Sequence, residues 1–278
     1  MYPIEKRIPN LLTFSNLFCG FIAVLACLSG DLVLAGWMIF IAAIADLLDG
    51  MAAKLLKAES ALGAQLDSLA DMVSFGLAPG LIAYMLLIKT HAGFMDLVYF
   101  YDIPVVGFVA FALTAAGAYR LARYNIQATI NDRSKASSEI GQGIAGQARN
   151  DGTNHHNFKG LPIPAGAMFF ASLPLMLQYE VFVIKFNIYS LTQIILNPYF
   201  LIISILLVSW LMISNMSMMS FKLSNFKGPV AKMMIVFIAL AVLLFLFLLW
   251  ASVPLIIILY IIFSYLTKNV RNEIQSTD

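Results

Sequence analysis

The chain has 278 residues, of which 61% are apolar and 12% charged, against about 25% charged in average soluble proteins. So few ionised groups could not cover a soluble globule of this length, and a formal net charge of +2 favours no polyanionic partner. These figures exclude a soluble enzyme, a disordered chain and a nucleic-acid-binding protein.

Apolar segments long enough to cross a bilayer, at about 20 residues per crossing, recur along the chain. They predict an all-α polytopic membrane protein with about eight transmembrane helices, at 11–29, 32–53, 69–88, 103–124, 161–178, 193–214, 230–250 and 252–267. The last two are treated as separate spans because residues 233–267 carry no charge and are too long for one crossing. Pro254 marks the expected break.

The first span begins after Lys6 and Arg7, which gives it a superficial likeness to a signal peptide. Asn10, Thr13 and Asn16 interrupt its start, so we expect an uncleaved span. These three residues are spaced at three and lie on one helix face. Lysine and arginine concentrate in cytoplasmic loops. With both termini inside, all 17 Lys and Arg residues except Lys89 and Lys185 fall on the cytoplasmic side. The pattern predicts a multi-pass protein of the cytoplasmic (inner) membrane.

Two pairs of aspartates lie at the mouths of spans two and three. Asp46 and Asp49 are three residues apart and Asp67 and Asp71 are four apart, and both spacings place side chains on one helix face. The short link around 54–64 lets the two helices run antiparallel and brings the pairs together. Clustered carboxylates repel one another without a cation, and Mg²⁺ or Mn²⁺ prefers oxygen ligands. The pattern favours a divalent-metal site; structural ion pairs and a cation-coupled transporter are the alternatives.

Small residues accompany these aspartates. The complete pattern, Asp46-x2-Asp49-Gly50-x2-Ala53-Lys54-x8-Gly63-x3-Asp67-x3-Asp71, resembles the signature of the CDP-alcohol phosphotransferase family. Lys54 departs from it, because the family usually has arginine there. Lysine keeps the charge and loses the planar donor fork of arginine.

Three further segments, at residues 9–20, 120–125 and 158–165, resemble the phosphatidylserine synthase branch of the family. The resemblance covers roughly the first 180 residues. We therefore expect a CDP-alcohol phosphotransferase-like six-helix membrane core at residues 1–215. Residues 216–278 would add two transmembrane helices and a cytoplasmic tail.

The resemblance implies transfer of a phosphatidyl group from CDP-diacylglycerol to the hydroxyl of L-serine, giving phosphatidylserine and CMP. It also implies two divalent ions, Mg²⁺ or Mn²⁺, and a homodimer. The orientation predicted from lysine and arginine puts the aspartates, and with them the active site, on the cytoplasmic side. The resemblance assigns Asp46, Asp49 and Asp67 to one ion. Asp46, Asp67 and Asp71 would hold the other, with Asp71 as the base for the serine hydroxyl.

Two further groups of candidate residues follow from the same resemblance. The nucleotide-binding candidates are Asn10, Thr13, Asp49, Gly50, Ala53, Lys54 and Gly63. The candidates for binding the serine carboxylate or a lipid phosphate are Arg120, Arg123, Asn125 and Lys159. Ordinary interhelical hydrogen bonding is the alternative role for the polar residues of span one, and positive-inside anchoring is the alternative for the two arginines.

One long polar segment, 127–158, has no apolar periodicity, and we expect a solvated loop there. For the whole protein, two alternatives stay open. One is the same chemistry with another acceptor, such as glycerol phosphate, an inositol phosphate or choline. The other is a cation-coupled transporter, which would place its carboxylates at the bilayer midplane and repeat one half of the chain in the other.

Overall fold

The computed structural model describes residues 7–58, 60–90, 99–100, 103–142, 160–178, 188–216, 218 and 229–277. The helices are α1 (Arg7–Leu28), α2 (Leu32–Leu55), α3 (Ala61–Asp71), α4 (Ala78–Lys89), α5 (Phe111–Gln142), α6 (Ile163–Gln178), α7 (Ile188–Ile195), α8 (Pro198–Ile213), α9 (Pro229–Leu248) and α10 (Ser252–Thr277). A π-helical segment, Met72–Leu77, joins α3 to α4. Two short antiparallel strands, β1 (Tyr99–Phe100) and β2 (Ile103–Pro104), precede a 3₁₀ segment, Val105–Ala110.

Five stretches of the described chain are long and apolar enough to cross a membrane: Ile8–Leu28, Leu32–Leu55, Ala61–Lys89, Val105–Gln127 and Met233–Thr267. Two shorter apolar helices, α6 and α8, follow the same order as the predicted spans. The predicted class, an all-α polytopic membrane protein, is confirmed.

The longest apolar stretch is not one helix. A 3₁₀ turn at Leu249–Ala251 separates α9 from α10, close to the break predicted at Pro254. Pro254 lies in the first turn of α10, where a backbone N–H has no intrahelical partner and its loss costs little. The stretch therefore forms two helices that pack against each other.

The helices pack through small residues and expose large apolar ones. Ala23, Ala35 and Ala42 are fully buried, whereas Phe18 and Leu246 are exposed. Large apolar side chains that are exposed in this way face lipid in a membrane protein, while small residues let helix backbones approach closely. Gly36 is one such contact, because a Cβ there would lie 2.6 Å from the carbonyl oxygen of Ala171 on α6.

The expected loop over 127–158 is wrong in its first half. Helix α5 continues to Gln142, well beyond the end of the apolar span. Between Gly117 and Gly141 the sequence contains neither proline nor glycine, so no strong helix breaker ends the backbone ladder there, although the segment has no apolar face. Residues 143–158 lie outside the described residues.

The link between α2 and α3 positions the predicted site. Helix α2 ends at Leu55, and Ser60 caps the start of α3 by accepting a hydrogen bond from the Gly63 amide at 3.0 Å. Both helices pack along α1. The π-helical segment is held from both sides, since Ser74 donates to the Asn16 carbonyl (3.0 Å) and Thr114 donates to the Gly76 carbonyl (3.1 Å).

Candidate metal centre and its two cavities

Three carboxylates converge between α2 and α3. One oxygen each of Asp46, Asp49 and Asp67 lies within 4.8 Å of the others. The all-oxygen donor set suits a hard divalent cation, and the proximity of like charges calls for a cation between them. Asp67 Oδ1 is buried without a hydrogen-bond partner among the described residues. These three residues fit a metal ion.

Asp71 lies one helical turn beyond Asp67, close enough to Asp46 and Asp67 to interact with both electrostatically. Its Oδ1 accepts a hydrogen bond from Asn16 Nδ2 at 3.1 Å. Asn16 is fully buried in α1, and its own Oδ1 has no partner among the described residues. One oxygen of Asp71 is therefore held by α1.

Asp49 is oriented from the same helix. Thr13 donates its hydroxyl to Asp49 Oδ2 at 2.7 Å, and both side chains are buried. A hydrogen bond to a carboxylate fixes one oxygen and leaves the other for a ligand. Helix α1 thus orients one aspartate on each of the two neighbouring helices.

A cavity of about 470 Å³ opens on one side of the aspartates. Six of the seven predicted nucleotide-binding residues line it: Asn10, Thr13, Asp49, Gly50, Ala53 and Gly63. At Gly50 a Cβ would meet no atom within 4 Å, so packing does not require glycine there. The missing side chain instead leaves room in the cavity. Lys54 lies exposed in the last turn of α2 and is not part of this lining.

A second cavity, of about 520 Å³, opens on the other side. Asp67 and Asp71 line it together with Ser68, Arg120 and Tyr124. Its apolar lining comes from four helices: Leu121 of α5, Pro162 just before α6 with Ile163, Pro164, Ala165 and Met168 in its first turns, Phe237 of α9, and Ile256, Ile257 and Tyr260 of α10. Asp67 lines both cavities.

The four predicted serine or phosphate contacts have different surroundings. Arg120 lines the second cavity and donates from Nη2 to the Gly160 carbonyl at 3.3 Å. Arg123 instead reaches the end of α8, where it donates to the Ile213 carbonyl (3.4 Å) and the Asn215 side chain. Asn125 donates to the Ser68 hydroxyl at 3.1 Å, beside Asp67. Lys159 lies outside the described residues.

Sequence reasoning missed two contributions to the site. The spacing of the polar residues in span one placed Asn16 on the same face as Asn10 and Thr13, but did not reveal its bond to Asp71. Tyr260 carried no signal, since it stands in an apolar run like any other membrane tyrosine. Only packing of α10 onto the core brings Tyr260 to Arg120.

Comparison with known proteins agrees with this arrangement. The sequence model of the CDP-alcohol phosphatidyltransferase family matches residues 6–203. Helices α1 to α6, which hold all four aspartates, lie within that match. The chain belongs to the CDP-alcohol phosphatidyltransferase family.

Individual relatives share one name, CDP–diacylglycerol–serine O-phosphatidyltransferase. A Helicobacter pylori protein is 34% identical over 161 residues, covering 58% of this chain and 54% of the relative. A Bacillus subtilis protein is 34% identical over 138 residues, covering 49% of this chain and 68% of the relative. A Saccharomyces cerevisiae protein is 32% identical over 162 residues, covering 56% and 49%. The chain thus spans about half the length of the H. pylori and yeast relatives it matches.

Proposed function

We propose that this protein transfers the phosphatidyl group of CDP-diacylglycerol to the hydroxyl of L-serine, releasing phosphatidylserine and CMP. Family membership supports the reaction type, and the shared name of the relatives supports serine as the acceptor. The observation that carries the proposal is the carboxylate cluster between two cavities, with Asp67 in the lining of both. A donor and an acceptor would therefore meet beside the same carboxylate.

The aspartates would hold two divalent ions, Mg²⁺ or Mn²⁺. We assign Asp46, Asp49 and Asp67 to one ion and Asp46, Asp67 and Asp71 to the other. When bound, such ions neutralise the pyrophosphate and stabilise the charge that develops on the leaving CMP. Thr13 and Asn16 orient two of these carboxylates from α1.

Asp71 is the base of the proposed reaction. It accepts the proton of the serine hydroxyl as the oxygen attacks the phosphorus that bears diacylglycerol. The bond between that phosphorus and the CMP oxygen breaks, and CMP takes the bonding electrons. Asn16 holds Oδ1 of Asp71, so the proton would go to its other oxygen, Oδ2.

The two substrates would occupy different cavities. The cytidine and pyrophosphate would bind in the first cavity, where Gly50 and Gly63 leave space and Asn10 and Thr13 supply polar groups. Lys54 would reach the nucleotide from outside that lining. Serine would enter the second cavity, with Arg120 placed to bind its carboxylate. We also propose Arg123, Asn125 and Lys159 as contacts of the same anion; of these, Asn125 bonds to Ser68, which lines the second cavity.

The surroundings of the site complete the proposal. The distribution of Lys and Arg supports an inner-membrane protein with both termini and the active site facing the cytoplasm. The acyl chains of the donor would stay in the bilayer while serine arrives from water.

We also propose a six-helix core at 1–215, an additional helix pair with a tail at 216–278, and a homodimer. The homodimer rests on the family resemblance, and light scattering in detergent would test it.

A panel of acceptors tests the function. Purified protein receives CDP-diacylglycerol, Mn²⁺ or Mg²⁺, and one labelled alcohol at a time: serine, glycerol phosphate, inositol phosphate or choline. We expect labelled lipid and CMP with serine alone. Lipid formed from another alcohol and not from serine would overturn the acceptor. If no acceptor leads to release of CMP, the assignment as an enzyme is wrong and the cation-coupled transporter becomes the favoured alternative.

A further inference from the structure

Helices α9 and α10 lie beyond residue 203, where the family match ends, yet they form one wall of the second cavity. Phe237 of α9 and Ile256, Ile257 and Tyr260 of α10 line this wall. The wall faces Arg120 and the aspartates. The helix pair therefore contributes directly to the site rather than only thickening the bundle.

Tyr260 has a defined position within this wall. Its side chain is 9% exposed, and its ring packs against Phe237 with centroids 6.1 Å apart and planes inclined by 60°. Helix α10 also packs on α6, whose first residues line the same cavity. These contacts hold the phenol ring in the lining of the cavity that Arg120 also lines.

Arg120 keeps donor capacity beyond its bond to Gly160. A guanidinium has five N–H donors in one plane, and Nε of Arg120 is buried without a hydrogen-bond partner in the described chain. A neutral phenol beside it can fix the plane of the guanidinium while leaving its charge intact. An aspartate in the same place would neutralise that charge and compete with an anionic ligand.

We propose that Tyr260 positions the Arg120 guanidinium to bind the oxyanion of the acceptor, so that the α9–α10 pair determines acceptor specificity. The inference rests on the proposed function. The oxyanion is the carboxylate of an amino alcohol, because Arg120 lines the second cavity and is absent from the lining of the first. A phosphate of the lipid donor is the other group that could supply this oxyanion, and the experiment below distinguishes the two.

The experiment compares Tyr260→Phe with Tyr265→Phe in the full-length protein. Tyr265 lies on the same helix and is 57% exposed, so it matches the chemical change without touching the cavity. For each variant, KM for serine, KM for CDP-diacylglycerol, kcat and the melting temperature are measured in lipid nanodiscs. We expect Tyr260→Phe to raise KM for serine about tenfold, because a less firmly oriented guanidinium would bind the carboxylate less tightly. Its kcat, KM for CDP-diacylglycerol and melting temperature should match those of Tyr265→Phe.

A second pair of variants tests the wall itself. Phe237→Leu should raise KM for serine without changing KM for CDP-diacylglycerol, because the ring that supports Tyr260 is lost. Phe247→Leu, on the exposed part of α9, should behave as wild type. The proposal would be overturned if KM for serine were the same in Phe237→Leu as in Phe247→Leu and the same in Tyr260→Phe as in Tyr265→Phe.

The remaining outcomes are also decisive. A rise in KM for CDP-diacylglycerol alone would assign the oxyanion to the lipid donor and overturn the acceptor role of Tyr260. If wild-type protein uses serine and Tyr260→Phe is unchanged, this inference fails and the proposed function stands. If wild-type protein makes no lipid from serine, the proposed function fails and this inference fails with it.

Discussion

Asn16 donates its side-chain amide to Asp71 Oδ1 at 3.1 Å, so a fully buried residue of α1 holds the last carboxylate of the aspartate pattern. The bond joins residues 55 positions apart in the chain. Nearby, Ser74 donates to the backbone carbonyl of Asn16, which anchors the π-helical segment to the same point. Asn16 therefore sets the orientation of Asp71 relative to the other aspartates.

Replacing Asn16 tests this orientation. Asn16→Leu keeps the volume of the side chain and removes the donor. We expect kcat to fall about tenfold to a hundredfold, the range for a lost hydrogen bond to a carboxylate of about 1.5–3 kcal/mol. KM for CDP-diacylglycerol should change little. Ser15→Ala is the control, because Ser15 is exposed and bonds to the Leu11 carbonyl of its own helix. Equal kcat in the two variants would show that Asp71 does not need Asn16.

The metal site is testable without turnover. Asp67→Asn should weaken Mn²⁺ binding at least about tenfold, because one charged oxygen donor is replaced by a neutral amide. Isothermal titration of the full-length protein with Mn²⁺ measures the effect. Asp31→Asn is the matched control, since Asp31 caps the opposite end of α2. Removal of metal with EDTA should abolish activity, and added Mn²⁺ or Mg²⁺ should restore it. Unchanged Mn²⁺ binding by Asp67→Asn would remove Asp67 from the ligand set.

Gly50 and Gly36 lie on the same helix and should respond differently to alanine. A Cβ at Gly50 meets no atom within 4 Å and projects into the first cavity, so Gly50→Ala should keep the melting temperature and raise KM for CDP-diacylglycerol. A Cβ at Gly36 lies 2.6 Å from the Ala171 carbonyl, so Gly36→Ala should lower the free energy of unfolding by about 1–3 kcal/mol. Thermal unfolding and steady-state kinetics separate the two effects. Similar losses of stability in both variants would contradict the assignment of Gly50 to ligand space.

Arg120 and Arg123 are three residues apart, and their substitution should have different effects. Arg123 contacts the Ile213 carbonyl at the end of α8, where a cation interacts favourably with the helix dipole. Arg123→Gln should therefore reduce stability by about 0.5–1 kcal/mol, with KM for serine unchanged. Arg120→Gln should raise KM for serine more than Tyr260→Phe does, because the charge itself is lost. The reverse pattern, with KM for serine depending on Arg123 and not on Arg120, would assign the acceptor contact to Arg123.

Local spacing predicted the parts of the site that depend on one or two helices. The i, i+3 and i, i+4 spacings of the aspartates and the short link after Leu55 are enough to bring Asp46, Asp49 and Asp67 together. The polar positions of span one follow from the same periodicity. Contacts between helices that follow one another in the chain can therefore be predicted from the sequence.

Contacts between distant helices were not predictable in this way. Arg120 and Arg123 share a helix face in the sequence pattern, and only the position of the α8 end gives Arg123 a different partner. The meeting of Arg120 with Tyr260 depends on how α10 docks against α6, which apolar composition does not specify. The extension of α5 to Gln142 depends on backbone propensity without an apolar face, which periodicity cannot detect.

Asp67 lines both cavities, and this has a kinetic consequence. Under the proposed function each substrate has its own cavity, so binding of one need not wait for binding of the other. The reaction should proceed through a ternary complex without a covalent enzyme intermediate. Initial-rate plots against either substrate should then give intersecting rather than parallel lines.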